Sequence, residues 1–531
     1  MTISITAAGS RALRFRNLAA AMGFFLTAGS TLLSAQARTG VPDRFPAELD
    51  AYIAKAVKDW EIPGLSIAIV RNDSVIVVKE YGVREMGKPG KVDEHTVFDA
   101  ASLTKSFTAT AIAMLVDEGK MRWDDPLKRH LPQVRFVDPY LTENLTIRDL
   151  LAHRSGLEPA NFSWRFTGID RTELVRRARF LKAVAPLRTQ MIYSNVGYTL
   201  AGEAAASAAG TTWEELVRGR IIRPLGMNSA VTSFAAAQRM PNVASPHAVI
   251  DGVQRPIRRE GLGRQASAPA GAIQATAEDL SRWLKFHLGD GTWEGRRLVS
   301  EAGMREMHSP QMIIPTTPTM RAARLVNFFA AYGLGFQIMD YRGNPMLWHS
   351  GSGDGQLAYM ALLPGEKIGV AILVNTWMAP FIHGTLASRI LDTYLGVTPL
   401  RDWSAEGLKG HATQMQRARD ARKAVRDSLL PGSAPPRPLP AYTGAYADSL
   451  YGELTVRVER GTIVLRMGRE EADLAHRNAD TFLVRWRDPL FDELYTTNGT
   501  FAAGAGGTVD GFTMRLNRDT VSVRRVLGRG R

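Results

Sequence analysis

Apolar residues change their period several times along this chain, and the changes mark out its elements. Between 46 and 60 they recur at helical spacing, with Leu49, Ile53 and Val57 on one side, which predicts a helix. The runs 64–70 and 75–81 are apolar and β-branched around Asn72-Asp73 and predict two strands of a hairpin. A helix is predicted over 102–118, with Phe107, Ile112 and Leu115 fit for burial. Residues 121–300 read mainly as helices and loops. The stretches 333–339, 346–349, 357–363 and 369–374 are again strand-like, and 385–395 predicts a further helix.

Strands therefore flank a helical middle. The economical assembly joins both strand groups in one antiparallel sheet covered by helices, with the helical insert as a second lobe and a ligand cleft between the lobes. Residues 404–430 predict a charged, Arg-rich helix. The segment 431–438 then carries four prolines in eight residues, a stiff linker that cannot continue a helix. Beyond it, 454–458, 462–467, 482–486, 512–516 and 521–526 read as short strands between Gly and Asn/Asp turns, a separate small all-β domain. The predicted divisions are 1–37, 38–400 for the two-lobed domain, 401–437 for the charged helix and linker, and 438–531 for the β domain.

The first 37 residues change the picture of where the chain works. Arg11, Arg14 and Arg16 precede an apolar stretch from Leu18 to Leu33, and Ala35-Gln36-Ala37 fits a small-x-small cleavage site. This reads as a secretory signal and predicts a periplasmic or secreted protein. No later run is long and apolar enough to predict a membrane span after its removal. The chain has no cysteine, which excludes disulfides, thiolate metal sites and a Cys nucleophile. Its 531 residues carry a formal net charge of +14. The arginines are scattered, and no basic run with interleaved aromatics predicts a nucleic-acid partner.

Three constellations carry candidate chemistry. Ser102 and Lys105 stand three apart at a predicted helix start, which puts them on one face. A serine hydroxyl needs a neighbouring base to become a nucleophile, and a desolvated lysine can serve because burial lowers its pKa. Tyr193-Ser194-Asn195 lies in a loop before a helix predicted to start near Gly197. Its phenol can share a proton with a lysine, and its Asn195 amide can orient Lys105 or a substrate. His349-Ser350-Gly351-Ser352 ends a strand-like run. A sheet-edge strand with Gly351 can approach a substrate closely, and its N–H groups can stabilise an oxyanion. His349 could bind a substrate carboxylate or tune Tyr193. Asp149 and His153 read as scaffold. The chain has no H-E-x-x-H, G-x-S-x-G or nucleotide-binding glycine loop.

Taken together, Ser-x-x-Lys, Tyr-x-Asn and a late His-x-Gly resemble the serine β-lactamase and penicillin-binding protein family, most closely its class C-like branch. That branch includes D-alanyl-D-alanine carboxypeptidases, D-aminopeptidases and family VIII esterases. The stretches 146–157, 223–227, 269–271 and 276–280 are similar to it as well, and 442–446 with 452–456 resemble a small β domain found behind such hydrolases. The resemblance implies an α/β (α+β) two-lobed β-lactamase/transpeptidase-like fold with a small all-β C-terminal domain. It implies a serine hydrolase without cofactor or metal, acting on a small ester, β-lactam or peptide. Ser102 would be acylated, Lys105 would help deprotonate it, and Tyr193 would act as general base and then acid. Asn195 would position the acyl group, and the N–H groups of Ser102 and Ser352 would form the oxyanion hole. His349 stands where class C β-lactamases have Lys, which weighs against efficient β-lactamase activity. The alternative within the same fold is a catalytically idle penicillin-binding or cell-wall sensor protein.

Overall fold

The computed structural model describes residues 42–526 except 166, 259–263, 317–328, 378–380, 428 and 430–433. The predicted signal and the start of the Pro-rich linker lie outside the described residues.

The two strand groups do meet in one sheet. Its strands are β1 (Gly64–Arg71), β2 (Ser74–Gly82), β3 (Met312–Ile313), β4 (Ala330–Tyr332), β5 (Gln337–Tyr341), β6 (Asn344–Ser352), β7 (Leu357–Leu363) and β8 (Ile368–Val374). They lie in the order β2-β1-β8-β7-β6-β5-β4-β3, every pair antiparallel. Side chains of a strand alternate between faces. Leu65, Ile67 and Ile69 of β1 pack with Val370, Ile372 and Val374 of β8 in one core, and Ala68, Val70, Ala371 and Leu373 enter another. Both faces are covered, so these strands read as continuous apolar runs. The helices α1 (Ala47–Asp59) and, later in the chain, Ile382–Tyr394 supply the first core.

The second core is built around α2 (Thr104–Asp117), buried from Thr104 to Leu115. A helix apolar or small on all sides belongs inside a protein. Phe107 stacks on Trp283 at 3.8 Å between ring centroids, and each such fully buried side chain contributes about 1.5–3 kcal/mol. Against α2 lie α3 (Asn195–Ala209) and α4 (Ala277–Leu288), the latter started by a Thr276/Asp279 capping box.

Of the predicted strand 333–339, only 337–339 is strand, the start of β5. Residues 333–336 are the turn that joins it to β4, because Gly335 has φ +86° and the turn presses on α2, where a Cβ would stand 2.7 Å from Ser106 Cα and 2.9 Å from the Lys105 carbonyl oxygen. The close approach, which only glycine permits, seats α2 against the sheet at the level of Lys105.

After α5 (Ile382–Tyr394) and the charged α6 (Trp403–Asp427), the chain forms a closed eight-stranded barrel. Its strands are β9 (Gly444–Asp448), β10 (Gly452–Glu459), β11 (Thr462–Met467), β12 (Glu470–Asn478), β13 (Thr481–Trp486), β14 (Thr497–Ala503), β15 (Val509–Leu516) and β16 (Asp519–Arg525), with α7 (Pro489–Tyr495) between β13 and β14. β9, β12 and β14 were not predicted. β12 buries only Ala472 and Leu474 among charged and polar neighbours. β14 contains Gly499, whose missing side chain leaves room for the Phe512 ring inside the barrel.

Candidate active site

Ser102 sits in a short 3-10 turn, Ala101–Leu103, at the head of α2. Ala101 before it has φ +46°, a conformation that costs a non-glycine residue free energy and needs support. Asp99 gives that support: its Oδ1 accepts from the Ala101 N–H at 2.8 Å and from Gln274 Nε2 at 3.0 Å, and its carboxylate pairs with buried Arg264.

One turn on, Lys105 is wholly buried. Its Nζ lies 3.1 Å from Ser102 Oγ, 2.9 Å from Asn195 Oδ1 and 2.7 Å from the Ala270 carbonyl oxygen. These partners are a hydroxyl, an amide and a carbonyl, none of them an anion. Burial pushes the lysine pKa well below its usual range, and the Arg264 charge adds to the push. The Tyr193 ring lies 4.8 Å from Lys105 Nζ. Burial drives its phenol upward, and a hydrogen bond with Ser102 opposes that. The lysine is thus disposed to be a neutral amine and the tyrosine a protonated phenol.

Asn195 is the first residue of α3, and Ser194 is its cap, accepting from the Gly197 N–H at 3.0 Å. The helix therefore starts two residues earlier than predicted, which fixes Asn195 rigidly. Its Nδ2 donates to Asn161 Oδ1 at 3.0 Å, so its oxygen faces Lys105.

The strand β6 is interior to the sheet, not at its edge. Its pairing with β5 ends at Trp348, so His349–Ser352 run on beside β7 alone and have a locally open side. Gly351 brings this stretch onto the Ser102 turn: a Cβ there would meet the Ala100 carbonyl oxygen at 2.5 Å. Ser352, one residue on, is exposed.

His349 departs from its expected role. It is 1% exposed, its Nε2 meets Tyr332 Oη at 2.9 Å and its Nδ1 meets the Ser350 carbonyl oxygen at 2.7 Å. Burial above all lowers its pKa to about 3. A neutral, doubly engaged ring has no cation to offer a substrate carboxylate, and its partner is Tyr332 rather than Tyr193. His153 stands under Tyr193, ring centroids 4.3 Å apart, with Nδ1 accepting from the Ser194 N–H at 3.1 Å. Asp149 closes a capping box and pairs with Arg154 and Arg188. Both are scaffold, and His153 holds the Tyr193 backbone and ring.

Comparison with known proteins gives the family and the fold. The Beta-lactamase family model matches residues 49–395. The chain belongs to the β-lactamase family. A second model, a domain of unknown function (DUF3471), matches 430–525, the barrel. Among relatives, the unguisins hydrolase ungD' of Aspergillus campestris is 27% identical over 80% of this chain and 80% of its own. Penicillin-binding protein 4 of Amycolatopsis lactamdurans is 28% identical over 64% of this chain and 87% of its own. The octameric penicillin-binding protein homologue from Pyrococcus abyssi has the same fold over 90% of this chain and 99% of its own, with TM-score 0.57 and 22% identity. A class C β-lactamase does so over 66% and 96%, with TM-score 0.55 and 20% identity.

Sequence reasoning missed Asp99, Asn161, Arg264 and Tyr332. Asn161 and Arg264 lie far along the chain from the side chains they touch, Tyr332 stands 17 residues before His349, and Asp99, two residues before Ala101, has no motif spacing to mark it.

Proposed function

We propose that this β-lactamase-family hydrolase cleaves ester or amide bonds through an acyl-enzyme on Ser102, with β-lactams and D-amino-acid peptides among the candidate substrates. The carrying observation is Lys105: a wholly buried amine, 3.1 Å from Ser102 Oγ and without an anionic partner among the described residues. Neutral Lys105 takes the Ser102 proton while Oγ bonds the substrate carbonyl carbon. The oxyanion forms toward the N–H groups of Ser102 and Ser352. Tyr193 donates its proton to the leaving alcohol or amine and regains one from Lys105, leaving an ester on Ser102. Water then attacks that ester by the reverse proton route, and acid product and free Ser102 result.

The reading of Tyr193 as the acid and Lys105 as the base rests on their opposite environments. Hydrolysis rather than idle acylation is supported by the name of the unguisins hydrolase, which spans four fifths of this chain. Export is supported by the leader at 1–37.

The test treats the full-length product, recovered from the periplasm, with a fluorophosphonate or a penicillin and maps the adduct by mass spectrometry. Ser102 should carry it, on a chain that starts at Arg38. Ser102→Ala should lower p-nitrophenyl ester turnover by about 10³-fold or more. An adduct elsewhere sinks the assignment, and a burst without steady-state turnover would identify an acylating binder instead.

A further inference from the structure

The barrel reaches the catalytic lysine through a chain of three side chains and one backbone group. Lys105 is held by Asn195 Oδ1, and the Asn195 amide is oriented by Asn161 Oδ1. Asn161 opens the 3-10 turn Asn161–Ser163, which follows Ala160 in the left-handed region, φ 45°. Alanine has no side chain to accept from the first N–H groups of that turn, as a helix start requires. The acceptor comes from the other domain. Asp519 Oδ2 accepts from the Phe162 N–H at 2.7 Å, across 357 residues of sequence, and the Asn161 N–H also favours its ionised form.

Asp519 is 3% exposed and stands at the base of the tight β15–β16 hairpin, paired with Leu516, so its position is rigid. Around it the same seam is sealed by the Phe162 and Tyr495 rings, edge to face at 5.1 Å, by Tyr451 Oη donating to Glu158 at 3.5 Å and by Arg177 donating to the Leu450 carbonyl oxygen at 3.4 Å. A carboxylate buried this deeply is costly without donors aimed at it, and the N–H groups of Phe162 and Asn161 are those donors.

We infer that Asp519 of the barrel is a positioning residue of the catalytic centre: it caps the Asn161–Ser163 turn and thereby holds Asn161, Asn195 and Lys105 in register with Ser102. The inference rests on the Ser102 acyl-enzyme reading. The barrel is then a working part of the hydrolase rather than a passenger.

The experiment is a double-mutant cycle in the full chain, read as the rate of Ser102 labelling by a fluorophosphonate and as kcat and KM for p-nitrophenyl butyrate. Asp519→Ala should slow acylation and lower kcat about tenfold, the order expected when a buried acceptor is removed, with KM little changed. Asp519→Asn, which keeps an acceptor, should recover most of the rate. Asn161→Ala should match the loss, and the double variant should be no slower than Asn161→Ala alone, because both act through one path. A residue that merely stabilises the seam would give losses that multiply. Wild-type labelling in Asp519→Ala, or multiplied losses, overturns the inference. Should Asp519→Ala fail to fold, Asp519→Ser carries the same cycle. Absence of Ser102 labelling in the unmodified chain would overturn the acyl-enzyme reading itself, an outcome distinct from either.

Discussion

Burial moves Lys105, His153 and His349 in the same direction, each toward its neutral form, because among the described residues none of the three has an anion to keep it charged. For Lys105 this creates a base. For His349 it removes a cation. A free histidine titrates near 6.5 and this one near 3, so its charge does not change across the working range. Accordingly, the ratio of kcat/KM for a carboxylate-bearing substrate to that for a neutral ester should stay flat from about pH 5 to about pH 8. His349→Ala should lower both substrates together, since the loss is packing and the Tyr332 hydrogen bond. A ratio that falls as pH rises, or a selective loss of the carboxylate substrate, would restore His349 as an anion anchor. The Ser102, Lys105, Tyr193 and Asn195 set was legible because its members lie in short motifs. Asn161 and Asp99 were not, because their importance lies only in what the folded chain sets beside them.

At the level of elements, the main sheet and the barrel differ in how their sequences signal them. β1, β7 and β8 are buried on both faces and stand out as apolar runs. A barrel strand shows apolar residues only toward the interior, so β12 and β14 look like polar loops. Closure of β9 to β16 satisfies every strand edge within the barrel, and this sets an expectation. Residues 434–526 expressed alone should give a β-type circular dichroism spectrum and a cooperative melt. A chain ending near Leu430 should remain folded but acylate Ser102 slowly, because the 161–163 turn has lost its cap. A fragment that stays unfolded in isolation would mean that the contacts at Glu158, Phe162 and Arg177 are needed for the barrel to form at all.

Over the whole molecule, buried neutral histidines set the response to acid. His308 and His383 are lowered to about 4 and His349 to about 3, all through burial. Between these values and about 6.5 the unfolded chain binds protons that the folded one does not, so stability is lost as pH falls through that window. Asp519, raised to about 6, acts the opposite way, as do Glu80, Asp279 and Asp290, but His153, His247 and His287 are lowered as well, so histidines outnumber the opposing carboxyls. Thermal melting should drop by several degrees from about pH 7 to about pH 5, and His383→Gln should reduce the drop. A melting temperature that rises on acidification would show that these rings are protonated in the fold. Read alone, the sequence determined the sheet and its two groups of strands, the helical lobe between them, the all-β tail and the candidate set of Ser102, Lys105 and Tyr193. Those features depend on local period, turn residues and motif spacing, which are properties of neighbouring positions. Only the tertiary structure decided that Lys105 is held by a hydroxyl, an amide and a carbonyl, that His349 is sealed away with Tyr332, and that Asp519 caps a turn 357 residues before it. Burial and long-range contact arise when distant segments exclude water together, and no local pattern records which segments those will be.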